Sequence, residues 1–163
     1  MEYFRLSQDK RMPYAVTLSG IDKIEGYFES KQGDMSLLEN GISEVISHSP
    51  LNFYPDILDR QIYMVKGVVK EVFDMFLPGM IYKRCNLIDR VVERYETYYI
   101  PIIDAIKFKG GIERGRHIFR REDSKEIEVV VSLAVVEAIL RRKSVGVRVE
   151  VVKNDSLAKE QPM

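Results

Sequence analysis

Two segments of the chain carry apolar residues at helical spacing. In the first, six apolar side chains follow the spacing i, i+3, i+4, i+7, i+8 and i+11 and so share one helical stripe: Val65, Val68, Val69, Val72, Phe73 and Phe76. Burying six such side chains contributes on the order of 10 kcal/mol, whereas propensity alone leaves so short a helix unstable. Pro78 and Gly79 end the segment, because proline cannot continue a helix and glycine accepts a left-handed exit.

The second segment has the same character. Ser132 stands where it can cap a helix, and the helix it would begin carries one apolar stripe, Val135, Val136, Ile139 and Leu140. Residues 146–152 then alternate between apolar and polar side chains, which is the period of a half-exposed strand.

These segments align with each other without gaps at an offset of 67. Residues 61–65 then lie over 128–132, residues 68–73 over 135–140, and Gly79 over Gly146. Both copies, 61–87 and 128–152, predict a strand, a helix, a glycine break and a return strand, which is the minimum for a parallel crossover. Either the chain contains a duplication, or two valine-rich amphipathic segments align by convergence.

The rest of the chain predicts short strands and loops. Further strands are expected at residues 3–6, 14–18, 80–87, 97–103 and 118–120, with a short helix around 87–95 as the alternative there. Residues 19–33 are expected to form a loop. Ser36 and Glu39 have the spacing of a capping box and favour a helix up to Ile46, although Asn40-Gly41 is instead typical of a hairpin turn.

Together these elements predict an α+β fold with a mixed sheet, two strand–helix–strand units and few short helices. We expect one globular domain over residues 1–152 and a flexible tail over 153–163, because the last residues are polar. A chain of 163 residues with 45% hydrophobic and 31% charged residues is enough for one domain with a core.

Charge, hydropathy and cysteine content limit the binding partners and the cellular location that we expect. Lys plus Arg and Asp plus Glu are 25 each, so the net charge is zero and the whole chain has no bulk attraction for nucleic acid or anionic lipid. No segment reaches the roughly 18 uninterrupted apolar residues that a membrane span needs. The polar start of the chain does not resemble a signal peptide, and the lone Cys85 cannot form an internal disulfide, so we expect a cytoplasmic protein.

No motif in the sequence predicts catalysis, a metal or a cofactor. Gly110 and Gly115 bracket four residues as in a phosphate loop, but Arg116 and His117 follow where Lys and Ser or Thr belong. His48 and His117 have no other ligand type at metal-binding spacing. Cys85 lies in a predicted strand and is expected to be buried and inert.

The binding candidates are a basic segment and the tyrosines. Arg114, Arg116, Arg120 and Arg121 form the densest positive stretch, which could meet phosphates or an acidic protein surface. Interleaved carboxylates favour a solvated surface hairpin as the alternative. Tyr98 and Tyr99 are candidate interface anchors, with ordinary core packing as the alternative.

The chain resembles a known family through the order of its segments more than through any single motif. The segments that carry the resemblance are the N-terminal Tyr-Phe-x-Leu strand, residues 56–58 ahead of 62–65, residues 81–83, 98–102 and 118–120, and finally 130–132 with 146–149. In this order they resemble small bacterial immunity proteins of polymorphic toxin systems, formerly a domain of unknown function. The chain departs from the pattern at Val65 and Lys66, where a serine cap would match the second copy.

The resemblance implies a cytoplasmic protein that binds a cognate toxin domain and blocks it, without enzymatic activity, cofactor or metal. Its partner would be a protein, and its oligomeric state is left open. Two other classes of function stay open: a small enzyme or ligand-binding domain whose site is assembled from distant residues, and an RNA-binding module that uses the basic segment with Tyr98 and Tyr99 as stacking platforms.

Overall fold

The computed structural model describes residues 2–18, 41–107, 115–122 and 127–153 of the chain. Within these ranges the fold is α+β, as predicted, with ten strands and two helices. In chain order these are β1 (Tyr3–Gln8), β2 (Ile42–Val45), β3 (Ile57–Leu58), β4 (Met64–Val65), α1 (Gly67–Phe76), β5 (Tyr82–Asp89), β6 (Arg94–Pro101), β7 (Ala105–Ile106), β8 (Ile118–Arg121), β9 (Val129–Ser132), α2 (Leu133–Arg141) and β10 (Val147–Val151).

The strands divide between two five-stranded sheets. Sheet 1 has the order β10-β1-β9-β8-β7, and sheet 2 has the order β2-β5-β6-β4-β3. Each sheet is mixed. One edge pair is parallel, β7 with β8 in sheet 1 and β2 with β5 in sheet 2, and the other pairs are antiparallel.

Both predicted strand–helix–strand units are present. β4 and β5 are each antiparallel to β6, which lies between them, so they run parallel to each other and α1 makes the crossover. β9 and β10 flank β1 in the same way, and α2 makes the crossover. β1 therefore holds the place in sheet 1 that β6 holds in sheet 2.

One hydrophobic core joins both sheets to both helices. The predicted stripe of α1 is confirmed for Val69, Val72 and Phe73, which are buried, whereas Val65 belongs to β4. Helix α2 buries Val135, Val136 and Ile139 of its predicted stripe, and Leu140 is exposed. The sheets contribute apolar side chains to the same cluster, among them Leu6, Ile57, Val65, Ile118, Val129 and Val131. Ser132 caps α2 as predicted, since its side chain accepts a hydrogen bond from the Val135 N–H.

A second core covers the other face of sheet 2. Its buried members come from the strands of sheet 2 and from the segments that precede or connect them: Val16, Leu18, Ile46, Tyr54, Leu58, Ile62, Met64, Cys85, Leu87, Tyr98 and Ile100. Successive residues of a strand point to opposite faces, so Met64 and Val65 of β4 enter different cores.

The helix predicted up to Ile46 is wrong over the part that the structure describes. Residues 42–45 form β2, which pairs in parallel with β5, whereas residues 36–40 lie outside the described ranges. Local capping signals favoured a helix, but pairing with a strand 40 residues away in sequence decides the conformation.

Two smaller expectations also differ from the structure. The strand predicted at residues 14–18 is reduced to one bridge between Ala15 and Phe53, although Val16 and Leu18 are buried. Residues 87–95 form strand and turn, so the helical alternative there is wrong. The predicted loop at 19–33, residues 110–114 and the expected tail beyond Lys153 lie outside the described residues.

Candidate functional site

The described members of the predicted basic segment do not all lie on one face of sheet 1. Arg114 lies outside the described residues, and Arg116 is exposed just before β8. Arg120 and Arg121 are half-buried neighbours on β8, so their side chains leave sheet 1 on opposite faces. Arg121 pairs with Glu128 across 3.6 Å, which neutralises its charge within the fold.

The two tyrosines lie in the other sheet, on β6, and also point to opposite faces. Tyr98 is fully buried in the second core, where its hydroxyl donates a 2.7 Å hydrogen bond to the Pro55 carbonyl. Burial raises the pKa of the Tyr98 hydroxyl above its usual value. The core alternative therefore applies to Tyr98, whose ring has no face left for a partner. Tyr99 is half-buried and packs on the first core.

The end of the β5–β6 hairpin presents a face that neither of the two described helices covers. Strand register sets three residues side by side in one row, Val45 of β2, Ile88 of β5 and Tyr95 of β6. The next row along the strands is Ser43, Asn86 and Thr97, followed by Arg84 on β5. We call these seven residues the hairpin face.

The helix α1 covers the same side of sheet 2 only further along. There Tyr82 and Tyr99 stack edge to face, and the Lys70 ammonium lies 4.7 Å from the centre of the Tyr82 ring and 5.4 Å from that of Tyr99. The Tyr82 hydroxyl donates to the Lys70 carbonyl at 3.5 Å. Beyond this contact the sheet opens into a shallow depression of about 820 Å³, lined by hairpin-face residues and by the turn.

Large apolar side chains stand exposed around this depression. Tyr95 is 69% exposed, and in the turn that joins β5 to β6 Val91 is 69% and Val92 is 55% exposed. Scattered exposed apolar residues are normal, but an aromatic ring with two valines on one hairpin end forms a patch of the kind that marks interaction sites.

The turn is held in place from inside the protein. The buried Asp89 carboxylate accepts hydrogen bonds from the Val91 and Val92 N–H groups at 3.0 and 3.4 Å. Its other oxygen lies 2.7 Å from Nδ1 of His48. The His48 hydrogen bond, followed by the two backbone donors, holds the pKa of Asp89 below its usual range. The exposed valines are therefore presented by a fixed turn.

Two arginines on this end of the molecule have no ion-pair partner in the part of the chain that the structure describes. Arg84 and Arg90 are exposed, and no side-chain hydrogen bond or ion pair joins either to any residue in the described ranges. Arg94 is engaged internally: it pairs with Glu96, and its guanidinium lies 4.5 Å from the centre of the Tyr54 ring. The Glu96 hydrogen bond raises the pKa of Arg94, so that side chain stays cationic.

The histidines and the cysteine form no larger reactive group among the described residues. His117 Nδ1 lies 2.8 Å from the Ser132 hydroxyl oxygen, beside a cavity of about 200 Å³ that Asp104 and Phe76 also line. Cys85 is fully buried in the second core, and burial raises the pKa of its thiol to about 12, so it is inert as expected. No group of three or more metal-ligating side chains is found in the described ranges.

Sequence reasoning missed the hairpin face because its residues are ordinary one by one. A usable signal was the alternation of Arg84 and Asn86 with the apolar Cys85 and Leu87, which predicts one buried and one open face. Nothing in the sequence showed that α1 stops short of this open face.

Comparison of the sequence with models of known protein families gives no match, and comparison with curated proteins gives none either. Among the described residues, neither helix has the length and apolar character needed to cross a bilayer.

Proposed function

We propose that this chain is a stoichiometric binding protein that neutralises a cognate toxin domain, as immunity proteins do, and that the hairpin face is its docking surface. The proposal joins the sequence resemblance to the geometry of one hairpin. The protein acts by covering a surface of its partner, and it supplies no group to a reaction.

One observation carries this proposal: the exposed Tyr95 ring stands on β6 directly after a turn that Asp89 fixes and that exposes Val91 and Val92. Tyrosine and arginine are the residue types that most often dominate binding energy at protein interfaces, and both occur here. A fixed turn reduces the conformational entropy that binding costs, because the contact residues already hold their positions.

The test is coexpression with candidate toxin domains in bacteria, including any encoded beside the gene. Cell survival reports neutralisation, and a one-to-one complex in size-exclusion chromatography reports binding. We expect Tyr95→Ala to weaken the complex by at least about 30-fold, the effect of a hot-spot residue of about 2 kcal/mol. Tyr14→Ala is the matched control, since Tyr14 is 59% exposed and belongs to the segment that pairs with Phe53, not to β5, β6 or their turn.

Two results would overturn the proposal. If no candidate toxin domain is bound or neutralised, the function is wrong. If a toxin domain is bound and Tyr95→Ala and Tyr14→Ala behave alike, the docking surface is elsewhere on the molecule.

A small enzyme or ligand-binding domain is the second candidate, because the fold brings His117 to Ser132 beside a cavity. An imidazole next to a hydroxyl is the start of a nucleophilic site. Ser132, however, is 2% exposed and its oxygen also serves as the cap of α2, so both roles would compete for one atom. A fluorophosphonate probe that labels Ser132 in the folded protein would favour this candidate, and absence of labelling would reject a serine nucleophile there.

A further inference from the structure

The hairpin face is graded along its strands from apolar to cationic. The row nearest the turn is Val45, Ile88 and Tyr95, the next row is polar, and Arg84 follows at the end of the depression. In the polar row the Thr97 hydroxyl donates a 2.8 Å hydrogen bond to Oδ1 of Asn86. That bond leaves the Asn86 amide N–H groups as donors beside the apolar row.

Arg90 stands at the opposite end, at the first position of the turn. Arg84 and Arg90 are six residues apart, which is about 20 Å along an extended strand. The row of Val45, Ile88 and Tyr95 thus lies between two arginines that have no side-chain partner in the described ranges. An apolar centre with charged residues at its rim is the arrangement typical of protein interfaces.

The neighbouring carboxylates do not cancel these two charges directly. Asp89 is buried and committed to His48 and to the turn, and Glu96 pairs with Arg94 and lies 3.9 Å from the Lys66 ammonium. Glu93 of the turn is exposed and lines the depression, but no ion pair joins its carboxylate to Arg84 or Arg90. A partner that approaches the apolar centre would meet Arg84 and Arg90 as unneutralised cations.

We propose that the hairpin face recognises an acidic protein surface, in which an apolar side chain packs on Tyr95 and carboxylates on either side pair with Arg84 and Arg90. This inference rests on the proposed function and specifies the chemistry of the partner. Guanidinium groups bind carboxylates through paired hydrogen bonds, and such contacts steer association and favour partners of the right charge.

Nucleic acid fits this face less well than an acidic protein does. Apart from the single Tyr95 ring, the exposed side chains of the hairpin end are the aliphatic Val91 and Val92, which give no second stacking surface for a base. Aliphatic side chains next to a tyrosine suit the apolar centre of a protein interface instead.

The experiment uses the full chain labelled with ¹⁵N and follows its amide resonances during titration with three probes. The probes are the peptide acetyl-Glu-Glu-Leu-Phe-Glu-Glu-amide, its counterpart with Lys in place of each Glu, and an oligouridylate of eight nucleotides. We expect the acidic peptide to shift the resonances of Asn86, Ile88, Tyr95 and Thr97, and higher salt to weaken this effect.

Charge reversal then tests the two arginines directly. We expect the double variant Arg84→Glu with Arg90→Glu to lower the affinity for the acidic peptide at least tenfold. Arg60→Glu is the matched control, because Arg60 is exposed, lacks a partner among the described residues and lies outside the hairpin. Unchanged thermal unfolding of both variants shows that any loss of binding is not a loss of fold.

Three outcomes would overturn the inference: the lysine peptide shifts the hairpin resonances as strongly as the acidic one, only the oligouridylate shifts them, or no probe does. None of these decides whether a toxin domain is neutralised. Conversely, failure to find a neutralised toxin domain would reject the proposed function while the acidic peptide still reports on the chemistry of the hairpin face.

Discussion

His48 and Asp89 are 41 residues apart in sequence and 2.7 Å apart in space. The contact ties the connector after β2 to the turn of the β5–β6 hairpin. Because the same carboxylate also receives the Val91 and Val92 N–H groups, one buried side chain fixes the position of the whole hairpin end.

This contact predicts a specific dependence of stability on pH. The pKa of Asp89 is lowered in the folded state, so its carboxylate stabilises the fold at neutral pH, and that contribution is lost as the pH falls below about 4. We expect Asp89→Asn to be less stable than the native chain at pH 7 and to approach it near pH 2.

Urea unfolding at several pH values measures this difference. The control is Glu71→Gln, an exposed carboxyl of α1 without a partner among the described residues, which should follow the native curve. Parallel curves for Asp89→Asn and the native chain would contradict the assigned role of Asp89.

Two glycines occupy equivalent positions in the two strand–helix–strand units, and we expect their substitution to lower the free energy of unfolding by different amounts. Gly79 and Gly146 both have positive φ, at 82° and 74°, so alanine at either position adds about 1–2 kcal/mol of backbone strain. A Cβ atom at Gly79 meets nothing within 4 Å, whereas one at Gly146 would lie 2.4 Å from Cβ of Pro55. We expect Gly146→Ala to lower the free energy of unfolding by about 1–3 kcal/mol more than Gly79→Ala. Equal losses in urea unfolding would show that Pro55 moves aside freely.

Aligned positions of the two helices are also expected to differ in the cost of substitution. At the offset of 67, Phe73 lies over Leu140, yet Phe73 is fully buried and Leu140 is 58% exposed. We expect Phe73→Ala to cost about 3–5 kcal/mol of unfolding free energy, and Leu140→Ala to stay within about 0.5 kcal/mol. If Phe73→Ala does not fold, Phe73→Leu provides the smaller step, and it should still cost more than Leu140→Ala. Comparable losses at the two positions would contradict the packing of α1.

Chemical modification of Cys85 is expected to report on unfolding. Its thiol is buried in the second core, and burial raises its pKa to about 12, so the reactive thiolate is scarce at pH 8. We expect a disulfide reagent to modify Cys85 only at the rate of unfolding, and within seconds once urea is added. Rapid modification of the native chain would show that sheet 2 opens locally.

The helices and most strands were predictable because their signals are local. The stripe of α1, the Ser132 cap and the alternation in β10 each lie within about ten residues of sequence, where spacing determines which side chains share a face. The offset of 67 also identified two glycines with the same left-handed backbone. The offset does not align the two helix caps. It aligns Ser132, the N-cap of α2, with Val65, whereas the N-cap of α1 is the next residue, Lys66.

The features that escaped prediction depend on distant pairing. β2 has no strand signal strong enough to outweigh its helical spacing, and it becomes a strand by pairing with β5. The hairpin face is open because the contact of α1 with sheet 2 ends at Tyr82 and Tyr99. The position of the helix therefore determines this exposure, and the sequence of the exposed residues does not reveal it. Arg114 lies outside the described residues, and the binding roles of Arg116, Arg120 and Arg121 stay predictions.

The position of β1 between β9 and β10 sets an order of assembly. Residues 3–8 leave the ribosome before their hydrogen-bonding partners at 129–132 and 147–151 are synthesised. Sheet 2 can form cotranslationally, since its described strands all fall within residues 42–101, whereas sheet 1 has to wait for β10. Nascent chains that still lack β10 would therefore expose one edge of β1, so slow translation of residues 147–151 would favour aggregation.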